Sequence, residues 1–144
     1  MLENLLGSED FHALMKKHAK EVIELLLKRG VNFSILTNIA DVTFDPPLPA
    51  EIRQNFKPIT MFFLAGYTFE STQLYNGKMS FEAGFGSENF GSVVKIPLHA
   101  VFQIVVGESI IYLNSVATVE KFNKNLKKNS LNVFKNNPNN KKFN

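Results

Sequence analysis

The apolar residues from Ser8 to Arg29 recur at spacings of three and four, which is the period of an amphipathic helix. Ser8 suits the N-cap position, and Gly30 suits a left-handed C-cap. The sequence therefore predicts one long helix. Its apolar stripe is wide enough for a single core face, or for a core face plus a contact with a second subunit. The candidate dimer residues on it are Phe11, Leu14, Met15, His18 and Val22.

After Gly30 the apolar period changes from about four residues to two, which is typical of strands. The segments VNFSILTNI, ADVTF, ITMFFLA, KMSFEAGF, SVVKI, HAVFQIVV and IIYL follow this pattern. The Asn76-Gly77 pair is a strong hairpin signal. Pro97 ends the predicted strand SVVKI. The pattern predicts six or seven short strands joined by tight connections.

These elements predict an α+β fold that is mostly β with an N-terminal α-helix. The economical arrangement is a strongly bent, partly open barrel capped by that helix. Residues 1–117 form the predicted domain, and the chain has 44% apolar residues and 14 Phe with which to build its core.

Residues 118–144 differ in composition from the predicted domain. They contain seven Lys and one acidic residue, Glu120, and they are dense in Asn. Such a segment cannot bury enough apolar surface to offset the entropy of ordering it, so we expect a flexible basic tail. It serves either as an interaction tail or simply as a solvated segment. One apolar island, formed by Leu131, Val133 and Phe134, interrupts it before Lys135.

Candidate catalytic chemistry is sparse. The chain lacks cysteine, which excludes disulfides, thiolate metal sites and cysteine nucleophiles. His12 and His18 lie six residues apart on the predicted helix, a poor spacing for chelation, and His99 stands far away in sequence. The carboxylates are scattered without a paired spacing. We therefore expect a protein that is not an enzyme and has no metal or cofactor.

The sequence also bears on cellular location. Its N-terminal residues lack the basic n-region and apolar stretch of a secretory signal. No segment reaches the roughly 18 uninterrupted apolar residues that span a bilayer. We expect a cytoplasmic protein without a membrane partner.

The segment GFGSENFG superficially resembles a phosphate-binding loop, but it lacks the Lys-Ser/Thr pair and joins two strands. Its glycines are more typical of a bulge or a close backbone approach. Three phenylalanines, Phe81, Phe85 and Phe90, could form the floor of an open surface on which another chain lies. The alternative is a Phe-packed core in which the glycines ease sheet curvature, as in a purely structural subunit.

The ordered motifs LLLKRGVNFSIL, VTFDPPLP, ITMFFLAGYTFESTQLYNGKMSFEAGFGS and VVKIPLHAVFQI resemble the SspB family, the stringent starvation protein B adaptors. This resemblance implies an SspB-like, Sm-like fold that dimerises through its N-terminal helix. It also implies a groove that captures the ssrA degradation tag of stalled translation products. A C-terminal motif would dock on the N-terminal domain of the ClpX unfoldase, so the protein would be a non-catalytic adaptor for the ClpXP protease.

The resemblance assigns roles to residues by motif. The FxAxFG strand and its neighbours would bind the peptide: Ala65, Phe69, Phe81, Ala83, Phe85, Val94 and Ile96. The tail segment SLNVFK is similar to the family's docking motif, which gives that role to Leu131, Val133, Phe134 and Lys135. The alternative function is a small Sm-like RNA-binding protein that uses aromatic strands and the basic tail. Residues 1–117 carry nine Lys and Arg against twelve Asp and Glu, and this net acidic body disfavours the alternative.

Overall fold

The long N-terminal helix forms as the sequence predicts. A computed structural model describes residues 1–116, in which a short helix α1 (Leu2–Leu6) precedes α2 (Glu9–Arg29). The Ser8 hydroxyl accepts a hydrogen bond from the Phe11 backbone N–H, and Gly30 ends α2 at φ 66°. Both ends of α2 are therefore set by local capping chemistry.

Four antiparallel strands form the first sheet, in the spatial order β3, β1, β7, β8. Their bounds are β1 Phe33–Asn38, β3 Ile59–Leu64, β7 Val101–Val106 and β8 Ser109–Leu113. Strand β1 pairs with β3 on one side and with β7 on the other. Because side chains alternate between the faces of a strand, Phe33 and Ile35 point into the core and Ser34 lies on the opposite face, where it is also buried, at 9% exposed.

The second sheet is also antiparallel and has the order β2, β6, β5, β4. Its strands are β2 Thr43–Asp45, β4 Gln73–Tyr75, β5 Lys78–Phe85 and β6 Phe90–Pro97. The predicted hairpin joins β4 to β5, where Asn76 has φ 48° and Gly77 has φ 74°. Two successive positive φ angles are the requirement of the type I′ turn that Asn-Gly favours.

Phenylalanine side chains fill the space between the two sheets. Phe62 of the first sheet lies 5.6 Å from Phe81 of the second sheet, measured between ring centroids. This aromatic cluster extends to Phe44 and Phe85 of the second sheet and to Phe56, which precedes β3. Ala19, Ile23 and Leu26 of α2 are buried in the same core.

The fold is mixed α+β with an N-terminal helix, which confirms the predicted class. The strands form two four-stranded sheets and do not close into a barrel. Residues 1–116 contain eight strands where the pattern predicted six or seven, because Gln73–Tyr75 forms a short additional strand. Two short helices, α3 (Ala50–Arg53) and α4 (Gly66–Glu70), lie in segments without a clear helical period.

Tyr112 connects α2 to the first sheet. Its hydroxyl donates a hydrogen bond to the Met15 carbonyl oxygen over 3.0 Å, and its ring contacts the His18 ring edge-on. The side chain is 2% exposed. Because burial disfavours the charged phenolate, it raises the pKa of Tyr112 to about 12 from 10.0.

This burial predicts a loss of stability in alkali. A pKa that is higher in the folded state contributes stability that is complete below pH 10 and is lost as the pH rises toward 12. Relative to Tyr112→Phe, the wild-type chain should lose about 2–3 kcal/mol of unfolding free energy over this range. Denaturant titrations at a series of pH values measure the difference. Tyr75→Phe, at an exposed tyrosine, should keep the wild-type slope, and a Tyr112→Phe slope equal to wild type would contradict the expectation.

Candidate functional site

A groove runs along the outer face of the second sheet. It consists of two adjoining cavities of about 360 Å³ and 560 Å³, and both are lined by Tyr67, Glu82 and Val93. The smaller cavity extends along α4 and β4 to Gln73. The larger one extends from α4 to Pro46 and the β5–β6 hairpin. We call the two cavities together the sheet groove.

Helix α4 forms one wall of the sheet groove, and hydrogen bonds connect it and the residue after it to Glu82 of β5. The Glu82 backbone N–H donates to the Ser71 hydroxyl over 2.8 Å, just beyond the end of α4. The Tyr67 hydroxyl donates a hydrogen bond to the Glu82 carboxylate. This bond, together with the negative charge of Glu82, raises the pKa of Tyr67. A phenol is protonated at neutral pH in any case, and the raised pKa extends its role as a hydrogen-bond donor further into alkali. Tyr67 is 68% exposed.

Small residues keep the larger cavity open. Ala83 pairs with Ser92, and Gly84 pairs with Gly91, on neighbouring strands. The Ser92 hydroxyl donates to the Pro46 carbonyl oxygen over 3.0 Å, which holds the β2 end against β6. A Cβ atom on Gly84 would lie 1.7 Å from Asn89 Oδ1. Gly84 is thus the site of a close approach by the Asn89 side chain, and not of the close backbone approach or the bulge that the sequence suggested.

In the described part of the chain, the charged side chains that line the sheet groove are acidic. Asp45 and Glu82 flank Val93 across neighbouring strands, and Glu70 lies at the end of α4. Among residues 1–116, no Lys or Arg side chain lines either cavity. The groove therefore carries negative charge and many hydrogen-bond acceptors. Within residues 1–116, no group of three His, Asp or Glu side chains converges as a metal site requires.

The structure separates the predicted peptide-binding residues. Phe81, Val94 and Ile96 are at most 1% exposed, and their side chains point into the core. Phe85 is half-buried in the aromatic cluster, and Phe69 is half-buried against Phe33. Two further residues of this set, Ala65 and Ala83, are half-buried; Ala65 immediately precedes α4, and Ala83 lines the larger cavity. Of the predicted set, the groove thus receives Ala83 and one edge of Phe81.

Sequence reasoning missed the three residues that both cavities share. A signal was available for two of them, because a residue that alternates with a buried strand residue faces the opposite side. Glu82 follows Phe81 and Val93 precedes Val94, so both point outward. Tyr67 gave no such signal, since its place depends on the packing of α4.

The predicted dimer residues lie beside the core-facing side of α2. Phe11, Met15 and Val22 are half-buried, while Leu14 is 55% exposed. His18 is exposed on one side and contacts Tyr112 on the other. Helix α2 therefore has a core face and, beside it, an apolar flank that is partly exposed. The predicted docking residues Leu131, Val133, Phe134 and Lys135 lie outside the described residues.

Comparison of the chain with protein-family models finds no match, and comparison with curated proteins finds none that is similar. The helices in residues 1–116 do not combine the length and the apolar character that a transmembrane span requires.

Proposed function

We propose that this protein is a non-catalytic adaptor that binds an extended peptide tag and delivers tagged proteins to the ClpXP protease. The observation that carries the proposal is the sheet groove, which is open along β5 and lined by small, hydroxyl and carboxylate side chains. The resemblance of its motifs to the SspB family supports an ssrA-type tag as the ligand. An SspB-like, Sm-like arrangement of the two sheets belongs to the same proposal.

The lining of the groove indicates the chemistry of the peptide. Extended peptides bind through main-chain hydrogen bonds, with pockets that select alternate side chains. The carboxylates of Glu70, Glu82 and Asp45 accept hydrogen bonds from amide, hydroxyl or ammonium groups. Because like charges repel, these carboxylates disfavour acidic side chains at the peptide positions that contact the carboxylates. A segment with Asn, Ser or Lys side chains at these positions fits the groove best.

The same lining disfavours the alternative function in RNA binding. Phosphate groups require basic side chains along their path. Among residues 1–116, three carboxylates line the sheet groove and no Lys or Arg does, although Lys95 lies beside it as the strand partner of Ser80. The phenylalanines that could have stacked on bases lie largely in the core, among them Phe81 and Phe62.

Delivery requires a second contact beyond the groove. We propose that Leu131, Val133, Phe134 and Lys135 dock on the ClpX N-terminal domain. A homodimer formed through the flank of α2 would carry two such motifs, and the second contact would then be intramolecular. Avidity of this kind strengthens two weak contacts without any new interaction.

Calorimetric titration of the full chain tests the binding step. We expect saturable heat with an ssrA-type tag peptide of the same organism. A scrambled peptide of equal composition, as the control, should give none. Single-stranded RNA should bind weakly, if it binds, and lose affinity steeply with salt. The binding step is rejected if RNA binds and the tag peptide gives no heat.

A degradation assay with purified ClpXP tests the delivery step separately. The full chain should lower the substrate concentration needed for half-maximal degradation of a tagged protein, and an untagged protein should be unaffected. If the chain binds the peptide but does not change degradation, the adaptor role is rejected and only the peptide-binding role is retained.

A further inference from the structure

Within residues 1–116, the outward residues of the first sheet are mostly apolar and include no charged side chain. The strand registers place eight outward residues in two rows across the four strands. The rows are Met61, Leu36, Gln103, Leu113 and Phe63, Ser34, Val105, Ile110. We call these eight residues the first-sheet face. By contrast, the outward side of the second sheet contains Asp45, Lys78, Glu82 and Lys95.

Several large side chains of the first-sheet face are exposed. Phe63 is 63% exposed, Met61 and Ile110 are each 58% exposed, and Leu113 is 51% exposed. Single exposed apolar residues are common, but a contiguous patch of them on a soluble protein marks an interaction site. Interfaces are also distinguished by a core that is depleted in charged residues. The first-sheet face has both properties.

We infer that the first-sheet face binds a second copy of this chain, sheet against sheet. A two-fold interface brings the same patch from both copies together, so any charge on it would meet a like charge from the other copy. None of the eight residues is charged, and a flat sheet face is suited to the sheet-on-sheet packing of sandwich folds.

The size of the face fits a reversible dimer. Strands about 4.8 Å apart and residues about 3.3 Å apart give four five-residue strands a footprint of roughly 300 Å². Protruding side chains raise the accessible area above this, to several hundred Å² per copy. A standard interface buries about 800 Å² per partner, so this contact belongs to the small, reversible class. We expect association that depends on protein concentration.

Charge also selects the second copy over the tail of the same chain. Residues 118–144 carry seven Lys, and no carboxylate on the first-sheet face complements them. The face is also separate from the flank of α2. Tyr112 points inward from β8 to contact α2, whereas Ile110 and Leu113 point outward from the same strand.

Sedimentation equilibrium of the full chain over a range of concentrations tests this inference. We expect reversible association of the wild-type chain, weakened at least 10-fold by Phe63→Lys and by Met61→Lys. Leu5→Lys is the matched control, since it places the same charge at a similarly exposed apolar residue on α1, whereas Leu14→Lys reports on the proposed α2 contact. Each of these two variants keeps the first-sheet face unchanged. Both should leave the association through the sheet intact. Thermal melts of each variant verify that it folds.

The possible outcomes separate cleanly. The wild-type chain could form a species larger than a dimer whose amount falls in the sheet variants and also in Leu14→Lys. That result supports the inference and shows that α2 forms a second contact. A dimer that only Leu14→Lys dissociates overturns it. A wild-type chain that is monomeric at every concentration also overturns it. The first-sheet face would then be a binding surface for the tail or for a different protein.

Discussion

Phe62→Ala is expected to lower the free energy of unfolding by about 3–5 kcal/mol. Phe62 is 6% exposed and belongs to β3 of the first sheet. Its ring lies within 6.5 Å of four other phenylalanine rings, measured between centroids: Phe44, Phe56, Phe81 and Phe85. The substitution removes ring contacts between the two sheets and leaves a cavity among rings that cannot all move into it.

The size of this effect matters because a domain is stable by only about 5–15 kcal/mol. Urea denaturation of the wild type and the variant gives the difference directly. Phe63→Ala is a close control, since Phe63 is the next residue on the same strand and is 63% exposed. Measured at low concentration, it should cost less than about 1 kcal/mol. Equal losses for the two variants would mean that the aromatic cluster does not hold the sheets together.

Val93→Arg is expected to weaken tag-peptide binding on the order of 100-fold, which corresponds to about 2.8 kcal/mol. Val93 lines both cavities, and Asp45 and Glu82 flank it on the neighbouring strands. An arginine side chain there can pair with either carboxylate and lie along the groove. It would fill the space that a peptide needs and neutralise part of the charge that attracts it.

Calorimetry with the tag peptide measures this loss, and a denaturation curve verifies the fold. Thr43→Arg is the matched control, because Thr43 is exposed on β2 of the same sheet but lines neither cavity. It should bind the peptide within about threefold of wild type, a difference of less than 1 kcal/mol. Undiminished binding by Val93→Arg would move the peptide site away from the sheet groove.

Local signals in the sequence predicted the elements whose ends are set by local chemistry. Ser8 and Gly30 bound α2, and Asn76-Gly77 forms the turn that its backbone angles require. The arrangement of strands into two sheets was not predictable in the same way. A period of two shows which residues share a face, but it does not say which strands pair. Strand β1 pairs with β7, more than 60 residues away, through contacts that no local pattern encodes.

The candidate site was predicted in part for a related reason. The sequence predicted β5, with its small residues, as part of the binding surface. Ala83 and Gly84 of this strand do line the groove. The sequence also assigned the peptide to Phe81, whose large apolar side chain is buried. Helix α4 could not be predicted, because its five residues, GYTFE, have neither a helical period nor a side-chain cap. Tyr67 therefore reaches Glu82 only through tertiary packing.

The stacking of the two sheets has a geometric consequence for a paired molecule. Phe62 and Phe81 meet between the sheets, so the outward side of each sheet faces away from this shared core. In two chains joined through their first-sheet faces, the acidic clefts would lie at the far ends of the assembly. Each cleft would remain open to solvent, and two cargo proteins could be carried at once without steric conflict.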